Sequence, residues 1–333
     1  MGPTSEPGPS LAPPMSASLL HQVFFNDFEL RAGWRFLIFY LTFEVVALGV
    51  GLVAYLVDVG PSAQGQSSGV EPGPFIRGDG FSFVALLGLS AVAATLEGRK
   101  LRHYGLPLKS AFRGNFWVGC LWGFGAISAL LLALHADHNF YYGTSELSGW
   151  SIARFAAWWG IAFLVVGLFE EFYLRGYLQF TLTLGIGFWP AALLLSLLFA
   201  DLHLGNPGET SFGLFQIVLI GLFLCFTLWR TGTLWFAVGF HTAWDWGQSF
   251  FYGTADSGLQ ARGHLLHSSF AGSRWLTGGS VGPEGSILLT PLFVLLFVLF
   301  YGAFPARVPY PDPESIQPST LGLRGQKAVD SGA

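Results

Sequence analysis

Long apolar runs separated by short polar breaks dominate the chain. Several approach or exceed the ~18 consecutive apolar residues that mark a membrane-crossing helix. They predict spans at about 34–57, 81–97, 115–134, 152–182, 188–204, 212–230, 233–251 and 286–304. The second and fifth are short. The expected fold is therefore all-α, a polytopic membrane protein of about eight transmembrane helices. No internal repeat stands out, and the spans form one domain over residues 31–304. Flanking segments 1–30 and 305–333 are polar and rich in Gly, Pro and Ser, the composition of disordered tails. The first 20 residues lack the basic n-region and apolar h-region of a signal peptide.

Composition supports this pattern. Hydrophobic residues make up 52% of the 333 and charged ones 11%, against roughly 25% charged in a soluble domain. A net charge of -4, with no basic patch, argues against a nucleic-acid partner. Cys120 and Cys225 both fall in apolar spans and read as small core residues.

Basic residues set the expected orientation. The segment "EGRKLRHYGLPLKSAFRG" between the second and third spans carries Arg99, Lys100, Arg102, Lys109 and Arg113. Cytoplasmic loops carry the excess of Lys and Arg, so this segment and both tails are expected on the cytoplasmic side.

Ionisable groups inside membrane spans are costly and point to function. Glu44 lies in the first span, Glu170 and Glu171 in the fourth, His203 at the end of the fifth beside Asp201, and His241 and Asp245 in the seventh. The other histidines, His21, His103, His135, His138, His264 and His267, fall in tails or loops and read as ordinary polar surface. Spans four and five form a hairpin with its turn near residues 185–188. Glu170 and His203 each lie ~24 Å from that turn at ~1.5 Å per residue, provided span four continues as helix past Arg175. His241 and Asp245 are i, i+4 and share a face. Adjacent glutamates diverge by about 100°, so Glu170 and Glu171 cannot both point at one atom. Glu171 and Arg175 are i, i+4 with the acid first, a self-neutralising pair, which leaves Glu170 free to face the interior.

Two histidines and two carboxylates on three helices suit hydrolysis. Glu170, His203, His241 and Asp245 could hold Zn2+ with a position open for water. Alternatively Glu170 activates water with help from His203, while His241 and Asp245 stabilise an oxyanion. Asp245 suits that second role only if protonated or acting through His241. A buried polar network that merely joins helices is the competing reading.

These residues resemble the motifs of the CAAX protease and bacteriocin-processing (CPBP, or Abi) family of intramembrane proteases, relatives of the CAAX prenyl endopeptidases. EExxxR stands as "EEFYLR" at Glu170, Glu171 and Arg175. FxxxH stands as "FADLH" at Phe199 and His203. HxxxN/D stands as "HTAWD" at His241 and Asp245. The motifs occur in order, and the resemblance covers about residues 95–304. It implies an eight-helix fold, a water-filled cavity opening toward the cytoplasm, and peptide-bond hydrolysis of a peptide or protein substrate in the lipid bilayer of a bacterial cytoplasmic membrane. Carried over residue by residue, it makes Glu170 the general base, His203 its partner, and His241 and Asp245 the oxyanion or metal side, with Glu171 and Arg175 completing the catalytic set. Many members have Asn where this chain has Asp245, which favours a metal site. The alternatives are a non-catalytic scaffold or bacteriocin-immunity protein of the same fold, against which the intact Glu170, His203 and His241 argue, and a proton-relaying transporter, which should show repeated halves or paired broken helices.

Overall fold

The computed structural model describes residues 19–26, 30–57, 69–145 and 147–312. The tail expectations for residues 1–18 and 313–333 lie outside the described residues. Helices run in the order α1 (Leu19–Phe24), α2 (Ala32–Val57), α3 (Pro72–Leu96), α4 (Gly114–Ala136), α5 (Trp150–Tyr173), α6 (Gln179–Ile186), α7 (Phe188–Leu202), α8 (Ser211–Thr231), α9 (Trp235–Asp245), α10 (Arg274–Thr277) and α11 (Leu289–Ala303). Among the described residues, five segments are long and apolar enough to cross a membrane: Ala32–Leu52, Pro72–Leu96, Gly114–Ala136, Trp150–Ile186 and Ser211–Thr231. α7 and α11 are apolar but only 15 residues each, about 22 Å of helix against a hydrocarbon core of about 30 Å. α9 has an almost wholly buried surface, which lets it carry a histidine and an aspartate.

Two expectations change. The second span is not short: α3 starts at Pro72, nine residues before the apolar run suggested, because Pro at the first helical turn has no amide to leave unpaired. The fourth span is not continuous. α5 ends at Tyr173, and residues Leu174–Leu178 form a π-turn with Gly176 outside helical geometry (φ -82°, ψ -115°) before α6 resumes. A second π-turn, Trp246–Phe251, extends α9.

Close helix approach is set by glycine. A β-carbon at Gly123 of α4 would lie 2.1 Å from the Phe240 carbonyl oxygen of α9, and one at Gly239 of α9 would lie 2.1 Å from that of Phe116 on α4. Only hydrogen fits there, so the two backbones touch, the small-residue packing common between membrane helices. This crossing fixes the height of α9 in the bundle, and with it His241 and Asp245.

The bundle has two distinct ends. At one, Glu97 binds Arg35 at 3.2 Å and Arg99 at 3.0 Å and accepts the Tyr177 hydroxyl. The Leu234 amide donates to Gly105, and the Trp235 indole to Pro107. Val308 donates to the Arg230 carbonyl, and Tyr310 is buried there. At the other end, strand β1 (Phe140–Tyr141) pairs antiparallel with β2 (Ser269–Phe270), and Val70 bridges Ala261. His264, expected at the surface, is buried there and donates from Nδ1 to the Ala261 carbonyl at 2.7 Å. Cys120 and Cys225 are free thiols within the helices.

Candidate active site

The last turn of α5 carries the paired glutamates. Glu171 is fully buried and takes the Arg175 guanidinium at 2.9 Å. Arg175 is equally enclosed, and its guanidinium carbon lies 5.0 Å from the centre of the Phe199 ring. Gly221 of α8 makes room beside it, since a β-carbon there would come within 3.2 Å of Arg175 Nη2. The same Phe199 meets the His203 ring edge-on at 4.6 Å, and its carbonyl accepts the His203 Nδ1–H at 2.8 Å. A carbonyl can only accept, so Nδ1 holds the proton and a neutral ring keeps its Nε2 lone pair free. Phe199 thus seats Arg175 with its ring and sets the tautomer of His203 with its backbone.

His241 meets three carboxylates. Its Nδ1 lies 2.9 Å from Glu171 Oε1, and its Nε2 lies 3.4 Å from Asp245 Oδ2 and 3.7 Å from Glu170 Oε2. Glu171 is therefore more than half of a self-neutralising pair: the oxygen that binds Arg175 also orients His241, 70 residues away.

Glu170, His203, His241 and Asp245 all line one cavity of about 430 Å³, whereas Glu171 and Arg175 lie behind its wall. The Glu170 side chain is 28% exposed, Glu171 0%. The two adjacent glutamates point to different places, one into the cavity and one into the core.

Residues 152–247 match the family model described as type II CAAX prenyl endopeptidase Rce1-like. This segment is Rce1-like. It contains all three motifs, as the resemblance of the sequence to CAAX proteases anticipates, and it supports a CAAX prenyl endopeptidase-like membrane protease at the level of the family. No curated protein matches the chain.

Outside the Rce1-like segment the cavity gains Glu44 from α2 and Asp256 and Glu284 from the 252–288 connection. Glu44 accepts the Tyr173 hydroxyl. Asp256 accepts the Ser249 hydroxyl at 2.8 Å, and Glu284 accepts the Ser257 amide at 3.1 Å and the Trp244 indole at 3.3 Å. Burial pushes the Asp256 carboxyl well above the usual carboxylate range, and Asp245 and Glu284 beside it push the same way. Neither Lys nor Arg lines the cavity among the described residues. Asp256 and Glu284 escape sequence reading because a Gly/Ser-rich loop gives no periodicity to place them.

The donor atoms of Asp245, Asp256 and Glu284 lie within 4.8 Å of one another. Three carboxylates are a hard, all-oxygen set of the kind that suits Ca2+ or Mg2+. The expected set of Glu170, His203, His241 and Asp245 is not gathered this tightly in the structure and shares only Asp245 with that cluster.

Proposed function

We propose that the chain is an intramembrane endopeptidase whose water is activated by Glu170 and His203. The supporting observation is the division of labour around the cavity. Glu170, His203, His241 and Asp245, from three helical hairpin arms, face one space, while Glu171 and Arg175 brace the site from behind. Glu170 takes a proton from water as the oxygen attacks the substrate carbonyl. His203, its Nδ1 proton committed to Phe199, accepts that proton from Glu170 at Nε2 and delivers it to the leaving amine as the C–N bond breaks. His241 offers its Nε2 side to the developing oxyanion, with Glu171 balancing charge on the ring and Asp245 alongside.

In this reading α7, α9 and α11 complete an eight-helix bundle in a bacterial cytoplasmic membrane, with the basic 99–113 segment and both tails in the cytoplasm. The substrate is a peptide or protein segment.

Glu170→Gln in purified protein tests the assignment: cleavage of a peptide substrate should be abolished while folding is retained. Metal analysis of the same preparations and the Asp245→Asn variant separate the two chemistries. With no metal bound, Asn remains a neutral donor and activity is kept or raised. With Zn2+ bound, Asn weakens both metal content and activity. Wild-type cleavage by Glu170→Gln would overturn the reading.

A further inference from the structure

The cavity is not centred between the two ends of the bundle. Its lining includes Val70, Asn206, Ser257, Leu259, Ala261 and Glu284, all from connections at the strand-paired end. Among the described residues, none of its lining comes from the connections at the other end, 97–113, 183–187, 231–235 or 304–312. Exposure follows the same gradient. Asn206, Ser257, Leu259 and Glu284 are half-buried, whereas Leu224, Phe240 and Phe293, which face the cavity from helix interiors, are at most 2% exposed. The loops form the rim and the helices form the floor.

Charge divides along the same axis. The closed end carries Arg31 and Arg35, the basic run of 99–113, Arg230 and Arg307, tied together by the Glu97 ion pairs and the Gly105, Pro107 and Arg230 backbone contacts. Among the described residues the rim end carries four cations, Arg77, Arg154, Arg262 and Arg274, against nine at the closed end, and Arg262 is paired there with Glu71 at 3.0 Å. Loops rich in Lys and Arg stay in the cytoplasm. The end that is closed is thus the one that the charge rule places inside.

We infer that the catalytic cavity is entered from the non-cytoplasmic face of the membrane, so that its substrate is a peptide segment exposed outside the cytoplasm. This runs against the cytoplasmic opening that the family resemblance implies. It rests on the orientation proposed above and on the peptidase reading for the nature of the substrate, but its test needs no catalysis.

The test is cysteine accessibility in intact cells, in a background with Cys120 and Cys225 replaced by Ala. Ser257→Cys reports the rim, Ser249→Cys the interior, and Lys109→Cys the opposite end; Asn206→Cys replaces Ser257→Cys if the latter fails to fold. A small, charged, membrane-impermeant methanethiosulfonate should label the rim and interior cysteines from outside, and Lys109→Cys only after permeabilisation. Labelling of Ser257→Cys only after permeabilisation would overturn the inference. So would a Ser249→Cys that reacts with a lipophilic reagent alone, which means entry from the bilayer, or one that reacts with none. Expected labelling without any peptide cleavage would leave the access route standing and remove the peptidase reading instead.

Discussion

Arg175→Ala should be among the most damaging substitutions in the protein, although Arg175 does not line the cavity. The side chain is 1% exposed and its partner Glu171 0%, so the variant leaves a carboxylate in the core with only His241 within reach. Removing one partner of a buried pair costs roughly 3–5 kcal/mol, and the lost stacking on Phe199 adds up to about 2 kcal/mol where water is excluded. Glu170→Gln is the control. Its side chain is 28% exposed and its ion-pair partner, His241 Nε2, lies at 3.7 Å, a geometry that contributes no more than about 1 kcal/mol. Equilibrium unfolding in detergent, followed by tryptophan fluorescence, would read both. Arg175→Lys should fall between them, because it keeps the charge but loses the planar guanidinium that stacks. A normally stable Arg175→Ala beside a strongly destabilised Glu170→Gln would refute the division of the two glutamates into brace and reactant.

Gly123→Val should destabilise by about 3 kcal/mol, the upper range for overpacking, since the new β-carbon meets backbone 2.1 Å away; Gly125→Ala, with open space around it, should be neutral in the same unfolding assay. Burial raises the Asp256 carboxyl well above the usual carboxylate range in the fold, whereas in the unfolded chain it ionises at about pH 4. It therefore favours the fold at low pH and progressively less as pH rises above that value. Asp256→Asn should flatten this decline, and parallel wild-type and variant stability curves against pH would contradict it. Peptides with Lys or Arg flanking the cleaved bond should show a lower KM than their Glu counterparts, because the cavity presents Glu44, Glu170 and Glu284 and, among the described residues, no lysine or arginine; equal KM values would remove charge as a selector.

The motifs were legible because charge inside an apolar run is costly and therefore conspicuous. Glu170, His203, His241 and Asp245 stand out against their surroundings, and the structure puts them around one space. The division of Glu170 from Glu171 followed from helix rotation alone. The link from Glu171 to His241 did not, since it joins residues 70 apart through tertiary packing. The break after Tyr173 was hidden for a different reason: its one local sign is Gly176, the residue that leaves helical geometry, and a lone glycine inside an apolar run is tolerated in a helix too often to mark a break. The close contact of α4 with α9 was passed over in the sequence, although Gly119 and Gly123 form a G-x-x-x-G spacing within an apolar span. Asp256 and Glu284 had no local signature, because their approach to Asp245 depends on how a long connection folds back over the helices.

The π-turn at Leu174–Leu178 also limits how the segment tolerates insertions and deletions. A wide turn holds an extra residue relative to regular helix, so one residue can be lost there as the turn closes to regular helix, with the faces before and after it staying in register. An added residue has no such slack: it would rotate α6 by about 100° relative to α5. The buried Gln179 and Thr181 would swing away from their present neighbours while Glu170 kept its aim. Lengthening here is thus a change of face for every residue up to Ile186, whereas the same change in the connection at 252–288 would be absorbed between helices.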